Sequence, residues 1–332
     1  MSLAHPPIQS AGRNLPMRVG TRASPLARAQ TAKFIERLRE VCPALGFEAA
    51  FEEHVISTTG DEVQDRRLAD IGGKGLFAKE IHEALIAGRI DFAVHSLKDL
   101  ETTLPEGIVL ACTLTREDAR DALILGPGMS PADASDDPLN IWTALPARAI
   151  IGTSSMRRQA QLLHARPDLS VTMLRGNVQT RLKRIAAGDV TGSLLALAGL
   201  RRLGLAHHAA AVIDPEAMVP AAGQGIVGVT VRAADEAFHR LLAAIEDPEA
   251  KAVSTAERAL LAALDGSCRT PIGGYARLLP DGQLHLTGLV ARGDGSFLLK
   301  RSLHGAVEDA FRLGTSLGDA LRADSPADIF AA

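Results

Sequence analysis

Four stretches of this chain place cations and small or hydroxylated residues between a strand-like run and a helix-like one: Thr21-Arg22-Ala23-Ser24, Gly72-Gly73-Lys74-Gly75, Gly152-Thr153-Ser154-Ser155 followed by Arg157-Arg158, and Arg175-Gly176-Asn177 followed by Arg181. A helix N-terminus offers free N–H groups and a positive dipole end, and hydroxyls and guanidinium forks complete an anion site. In parallel sheets such loops gather at the carboxyl ends of the strands, where ligands bind. Any one of these cations, taken singly, is equally consistent with a solvated or ion-paired side chain. Four together imply a ligand with many negative groups, and phosphate esters and polycarboxylates both satisfy the pattern.

Two further residues could do chemistry. Asp99 follows the strand-like run IDFAVHS (90–96), where a carboxylate among cations could stabilise a positive charge that develops only during reaction. A helix cap or a salt bridge would explain it as well. Cys268 lies in DGSCRTPIGG (265–274), a loop that leaves its sulfur accessible beside Arg269, which favours thiolate; a structural role is the alternative. His95 continues an apolar strand and reads as a satisfied structural histidine, while Cys42 and Cys112 read as inert. A Walker loop is excluded, because Leu68 stands where its first glycine must be and Gly75 where Ser or Thr must be. No GxSxG elbow occurs, and His82-Glu83 lacks the second zincin histidine because Ile86 is there.

The elements that must position these residues alternate. Met17–Gly20 reads as a strand running into a helix with Ser24 at its N-cap and Pro25 in its first turn. Phe47–Ser57 reads as a strand, Leu76–Ala87 as a helix with Phe77, Ile81, Leu85 and Ile86 inward, and Ile90–His95 as a short buried strand. Strands are expected at Asp121–Leu125, Ala149–Ile151, Val171–Leu174 and Ser193–Leu197, with helices near Ser155–Ala165 and Asn177–Ala187. That alternation predicts parallel sheets covered on both faces. After residue 220 the texture becomes α+β: a strand at Gly225–Val231, a helix at Lys251–Leu264, β-like runs at Tyr275–Leu278, Gln283–Val290 and Phe297–Leu303, and a helix near Ala306–Leu321. Residues 126–138 read as a surface loop.

Composition narrows the class. At 332 residues the chain has room for two to three domains, and 46% hydrophobic against 23% charged residues is enough for sizeable cores. A net charge of −3 with 3% aromatics argues against duplex or single-strand nucleic-acid binding. The three cysteines form no CxxC pair, so neither a zinc site nor a disulfide framework is expected, and no apolar run is long enough to span a bilayer. Residues 1–16 are polar and proline-rich, are expected to be disordered, and carry no secretory h-region. Together these predict a cytoplasmic protein with a small-molecule ligand, no metal, no nucleic acid and no membrane.

Longer motifs then carry a resemblance. RVGTRASPLARAQ (18–30), IGGKGLFAKEI (71–81), VHSLKD (94–99), GTSSMRRQAQL (152–162), LRGNVQTRL (174–182), ALAGLRRLGL (196–205), PAAGQGIVG (220–228) and GSCRTPIGGYA (266–276) are collinear and resemble the porphobilinogen deaminase family. The resemblance implies a transferase of haem and tetrapyrrole biosynthesis. Such an enzyme deaminates four porphobilinogen molecules and joins them into linear hydroxymethylbilane on a covalent dipyrromethane cofactor. It implies a monomer of α/β class, with two periplasmic-binding-protein-like lobes of mixed or parallel sheets and a smaller α+β C-terminal domain. Domain 1 would be 17–115 plus 225–243 and carry the catalytic aspartate. Domain 2 would be the arginine-rich 116–224, and domain 3 the cysteine-bearing 248–332.

By the same resemblance Asp99 is catalytic and Cys268 holds the cofactor through a thioether. Arg22, Ser24, Lys98, Thr153, Ser154, Ser155, Arg157, Arg158, Arg181 and Gln224 would bind the cofactor, while Lys74, Arg175 and Arg202 would meet substrate. This fits the anion loops, since every pyrrole brings an acetate and a propionate, and planar guanidinium forks suit carboxylates. The chain departs from the family pattern at Asp70, Glu101, Gln179 and Thr230. The rival reading is a non-enzymatic two-lobed anion-binding protein, which leaves Cys268 and a third domain unexplained.

Overall fold

The computed structural model describes residues 15–63, 75–129, 141–265 and 270–330. The readings that fall on Lys74, Asp70, Cys268, residues 1–14 and 130–138 lie outside the described residues. The chain divides into two compact units: residues 1–62, 75–116 and 226–251 in the first, and 63–74, 117–225 and 252–332 in the second.

In the first unit, strands β1 (Met17–Thr21), β2 (Phe51–Val55), β3 (Phe92–Ser96), β4 (Ile108–Thr113) and β10 (Val227–Arg232) form one sheet in the order β2-β1-β3-β10-β4. β1 runs parallel to β2 and β3, whereas β10 is antiparallel to β3 and β4. Helix α1 (Pro25–Val41) starts where the sequence predicts, with the Ser24 hydroxyl accepting from Ala27 N–H at 3.2 Å and Pro25 in the first turn. It buries Phe34 and Leu38 completely. Phe34 and Phe238 each meet Phe92 edge-on at 5.2 Å, an arrangement that adds to the area they bury.

Helix α2 (Lys79–Ile86) buries Ile81 and Leu85, but Ile86 is 57% exposed, so its expected inward place is corrected. Ile86 follows Leu85 by one residue, about 100° further round a helix, and only one of the two can face the sheet. β2 is shorter than the expected Phe47–Ser57, because Glu48–Ala50 form a 3-10 turn in which Ala50 N–H donates to the Phe47 carbonyl.

The second unit repeats the topology. Its strands β5 (Asp121–Leu125), β6 (Ile150–Gly152), β7 (Ser170–Thr172), β8 (Gly192–Ala196) and β9 (Ala211–Val212) lie in the order β7-β6-β8-β5-β9. β6 is parallel to β7 and β8, and β5 antiparallel to β8 and β9. Each of the two five-stranded sheets is therefore mixed: parallel strands followed by one reversed strand beside them. Helices α3 (Met156–Ala165), α4 (Val178–Ala186) and α5 (Leu197–Arg202) follow β6, β7 and β8, so each parallel strand leads into a helix start.

A third, antiparallel sheet, β11 (Ile272–Leu278), β12 (Leu284–Ala291) and β13 (Leu298–Gly305), belongs to the second unit and packs with helices α7 (Pro248–Ala263) and α8 (Ala310–Asp324). Helix α6 (Glu236–Ala243) lies in the first unit, its N-terminus capped by Asp235. α8 approaches α7 backbone to backbone: a Cβ on Gly314 would lie 2.2 Å from the Ala256 carbonyl oxygen and 2.9 Å from Leu260 N. We expect Gly314→Ala to destabilise the protein by about 1–3 kcal/mol despite the better helix propensity of alanine, read as a lowered urea midpoint at unchanged m-value.

Candidate active site

In the first unit the site begins where β1 stops. Thr21 is buried, its hydroxyl accepting from Thr31 Oγ1 at 2.9 Å and its carbonyl from Ile56 N–H at 2.8 Å, so the next residue leaves the sheet from a fixed point. That residue is Arg22. Its Nε donates to Asp61 Oδ2 at 3.0 Å, and its Nη2 to Asp61 Oδ1, giving a bidentate pair. Its Nη1 lies 3.5 Å from Asp99 Oδ2, and its guanidinium sits over the Phe77 ring at 4.1 Å.

The absence of a side chain at residue 60 makes this stack possible, since a Cβ on Gly60 would come within 2.3 Å of the Phe77 ring. Burial works against the Arg22 charge, yet the hydrogen bond to Asp61 and the charges of Asp99 and Asp61 outweigh it and raise its pKa. Asp61 is likewise opposed by burial, but hydrogen bonds from Arg22 and from Thr58 Oγ1 hold it below the usual carboxylate range. A permanent cation thus stands between two carboxylates. Asp61 accepts hydrogen bonds from Arg22 and Thr58, whereas Asp99 meets Arg22 only at 3.5 Å; their side chains are 27% and 31% exposed.

Asp99 ends a three-residue 3-10 turn, Leu97–Asp99, at the carboxyl end of β3. Lys98 on the same turn is exposed. His95, two residues before Leu97, is buried with its Nε2 2.9 Å from Thr230 Oγ1, which is the satisfied structural histidine the sequence suggests. Burial, with the charges of His82 and Arg22 adding to it, pushes its pKa down to about 3, so its ring is neutral at working pH. Ser24 serves as the α1 cap already described.

The second unit gathers the other cationic loops. At the end of β6, Thr153 is buried, its Oγ1 accepts from Ser155 N–H at 3.2 Å, and the Ser155 hydroxyl caps α3 through Arg158 N–H. On the first turn of α3, Arg157 and Arg158 turn inward to a residue the sequence reading missed, Asp121, which is fully buried at the start of β5. Arg157 Nη2 donates to Asp121 Oδ2 and Arg158 Nη2 to Asp121 Oδ1, both at 2.8 Å. Gln224 Nε2 adds a third donor at 2.8 Å and also donates to the Ala119 carbonyl. Burial opposes the Asp121 charge, but the guanidiniums of Arg157 and Arg158 outweigh it and hold the carboxyl well below its usual range.

Arg181 Nε donates to the Gly176 carbonyl at 2.8 Å, Asn177 caps α4, and Arg175 is buried. Arg202, at the end of α5, donates from Nη2 to the Gly225 carbonyl at 2.6 Å, and burial lowers its pKa. The fully buried Glu257 on α7 accepts from Gly223 N–H at 2.6 Å and from Ala276 N–H at 2.7 Å. It thereby ties the PAAGQG turn to β11, the strand that follows the cysteine loop. No sequence signal marks Asp61 or Glu257. Asp121 carries a weak one, an acidic residue opening the apolar run DALIL, which a buried carboxylate can do only beside cations.

Several donors on these loops are left unmatched by the fold. Ser154 Oγ, Arg158 Nε and Arg202 Nε are buried and make no hydrogen bond among the described residues. Buried polar atoms are rarely left so, and Ser154 Oγ with Arg158 Nε on one anion loop, and Arg202 Nε at the end of α5, are free to meet the acceptor oxygens of a ligand. Cys42 and Cys112 are buried and form no disulfide among the described residues; burial pushes the Cys112 thiol up to about 12, so it is inert as expected. Among the described residues no helix is long and apolar enough to cross a membrane.

Comparison with known proteins agrees with this chemistry. The family model "Porphobilinogen deaminase, dipyromethane cofactor binding domain" matches residues 17–240, and "Porphobilinogen deaminase, C-terminal domain" matches residues 251–323. A porphobilinogen deaminase of Paracoccus denitrificans is 47% identical over 316 residues, covering 95% of this chain and 96% of that one. A chloroplastic porphobilinogen deaminase of Oryza sativa is 43% identical over 316 residues, covering 95% and 85%. Among solved structures, substrate-binding domain 2 of Lactococcus lactis GlnP aligns at a TM-score of 0.39 and 10% identity, covering 70% of this chain and 87% of that one.

Proposed function

This chain belongs to the porphobilinogen deaminase family, and on that premise we propose the roles of its residues in deaminating porphobilinogen and joining four units into hydroxymethylbilane. The family's dipyrromethane is its cofactor; when bound, it supplies the free pyrrole α-carbon to which the first unit is joined. Cys268 is the attachment residue. Arg157, Arg158, Arg181, Thr153, Ser154 and Ser155 hold the acetate and propionate groups, joined by Arg22, Ser24 and Lys98, while Lys74, Arg175 and Arg202 take those of incoming substrate. The unmatched donors Ser154 Oγ, Arg158 Nε and Arg202 Nε support this assignment. Gln224 acts at one remove, by holding Asp121.

Asp99 is the catalytic residue. As the C–N bond of the substrate's protonated aminomethyl group breaks and ammonia departs, the methylene carbon left on the pyrrole shares a delocalised positive charge with the ring. The Asp99 carboxylate stabilises that charge more than it does the neutral ring, which lowers the barrier. After the carbon–carbon bond forms, an Asp99 oxygen takes the proton released on rearomatisation. Arg22, fixed between Asp61 and Asp99, keeps that carboxylate oriented between steps. The observation that carries this reading is the half-open Asp99 carboxylate at the carboxyl end of β3, 3.5 Å from a guanidinium that Asp61 locks in place.

The division into 17–115 plus 225–243, 116–224 and 248–332 belongs to the same proposal and is supported by the three separate sheets. A cytoplasmic location and a monomeric state belong to the same proposal. The deciding experiment is the intact denatured mass of the purified protein with peptide mapping. We expect an excess equal to two porphobilinogen-derived rings on the peptide containing Cys268. A bare-chain mass that does not change on incubation with porphobilinogen would remove the cofactor assignment, and rings on another peptide would move it.

A further inference from the structure

Behind the Asp99 turn lies a buried polar cluster that the reaction as described does not use. The turn is short, and Leu100 N–H closes it by donating to the Leu97 carbonyl. On its entering side it is anchored by Leu97 N–H donating to the Ile226 carbonyl at 3.0 Å. Leu97 and Leu100 are buried over Gly228, where a Cβ would come 3.0 Å from Leu97 Cδ1. On its leaving side the anchor is of another kind. Glu101, two residues after Asp99, turns inward until only 9% of its side chain is exposed, and its Oε1 lies 3.4 Å from Nδ1 of His82 on α2.

The His82 side chain is 2% exposed and neither of its ring nitrogens makes a well-aligned hydrogen bond among the described residues, so the Glu101 carboxylate is the acid it faces. The neutral ring of His95 stands 5.8 Å away, itself held by Thr230. Glu101 also presses on the turn that closes the GGKG loop. Gly75 has φ +74°, and a Cβ there would meet Glu101 Oε1 at 3.0 Å.

We propose that Glu101, through its buried contact with His82, is a positioning residue that fixes the Asp99 carboxylate for its work on the reacting pyrrole. This rests on the reading of Asp99 as catalytic. Burying a carboxylate is costly, so one that is buried beside a histidine is held there by its surroundings. Glu101 is placed to serve as a clamp on a three-residue turn whose carboxylate must be held to a fraction of an ångström.

The test is Glu101→Gln in the full-length, cofactor-loaded enzyme, with kcat, KM for porphobilinogen and Tm measured together. We expect kcat to fall about 10-fold and KM to stay within about 2-fold, with the variant still folded at the assay temperature by its Tm. In an Asp99→Asn background the same change should lower the residual turnover no further, because a positioning residue has nothing left to position. Glu101→Asp, which keeps the charge but shortens its reach, should recover part of the loss, and it serves as the reporter should the Gln variant not fold. Unchanged kcat, or an equal loss in both backgrounds, would overturn the inference. Full turnover in Asp99→Asn alone would instead overturn the reading of Asp99 on which it rests.

Discussion

Asp99→Asn is expected to lower kcat by about 10²- to 10⁴-fold, the range that a positioned acid–base group contributes, with KM for porphobilinogen little changed. The substitution keeps the volume of the side chain and removes its charge. Little else should move, because Arg22 remains bound through both Nε and Nη2 to Asp61, and the turn remains anchored at Leu97 and Leu100. The loss should fall on kcat because the uncharged pyrrole ring of bound substrate gains little from the carboxylate, whereas the cation left by departing ammonia gains much. The intact mass should still show the two-ring excess on the Cys268 peptide, which separates failed turnover from failed assembly. An Asn variant turning over at the parent rate would place the chemistry elsewhere.

Asp121→Asn should have the largest effect on the fold itself. The carboxylate is fully buried and satisfies Arg157, Arg158 and Gln224 at once. Without its charge, two guanidiniums remain buried with no counter-ion, a situation that typically costs about 3–5 kcal/mol. Chemical denaturation of the two proteins should show that difference. Its pH dependence has a definite sign: the folded pKa is depressed, so the contribution is fully present above the ordinary carboxylate value, about 4, and fades as pH falls below it. The gap between parent and variant should therefore be flat from about pH 5 to 8 and narrow only in acid. A gap that closed in the neutral range would assign the effect to another group. The variant should also take up the two rings poorly from porphobilinogen, since Arg157 and Arg158 lose the bracket that aims them.

Most of the elements were legible because local rules act on them without help. Ser24-Pro25, Ser155 and Asn177 each start a helix by satisfying its first free N–H groups, and each does so in the structure. The paired loops at the ends of β1, β6 and β7 were readable for the same reason. Strand direction was not. An apolar run has the same composition in either sense, so the reversal of β5 and β10 within the sheets had no local mark. The short β9, the strand β4 and the helix α6 also went unread, their patterns being too brief or too mixed to stand out.

The sequence by itself determined the family and the reaction class, and it singled out Asp99 and four cationic loops as the candidates for the site. These depend on residue types in fixed order, and a motif such as GTSSMRRQ is present in full before the chain folds. Tertiary structure alone decided which cations are committed to the protein and which donors are left for a ligand. Arg157 and Arg158 look like free binders in a linear text, but Asp121, more than thirty positions away, takes a terminal nitrogen from each and leaves Arg158 Nε over. Arg22 likewise becomes a fixed counter-charge for Asp99 only because Asp61 meets it from another strand's end. Burial and long-range pairing set these outcomes, and a buried charge is defined by the partners that folding brings to it.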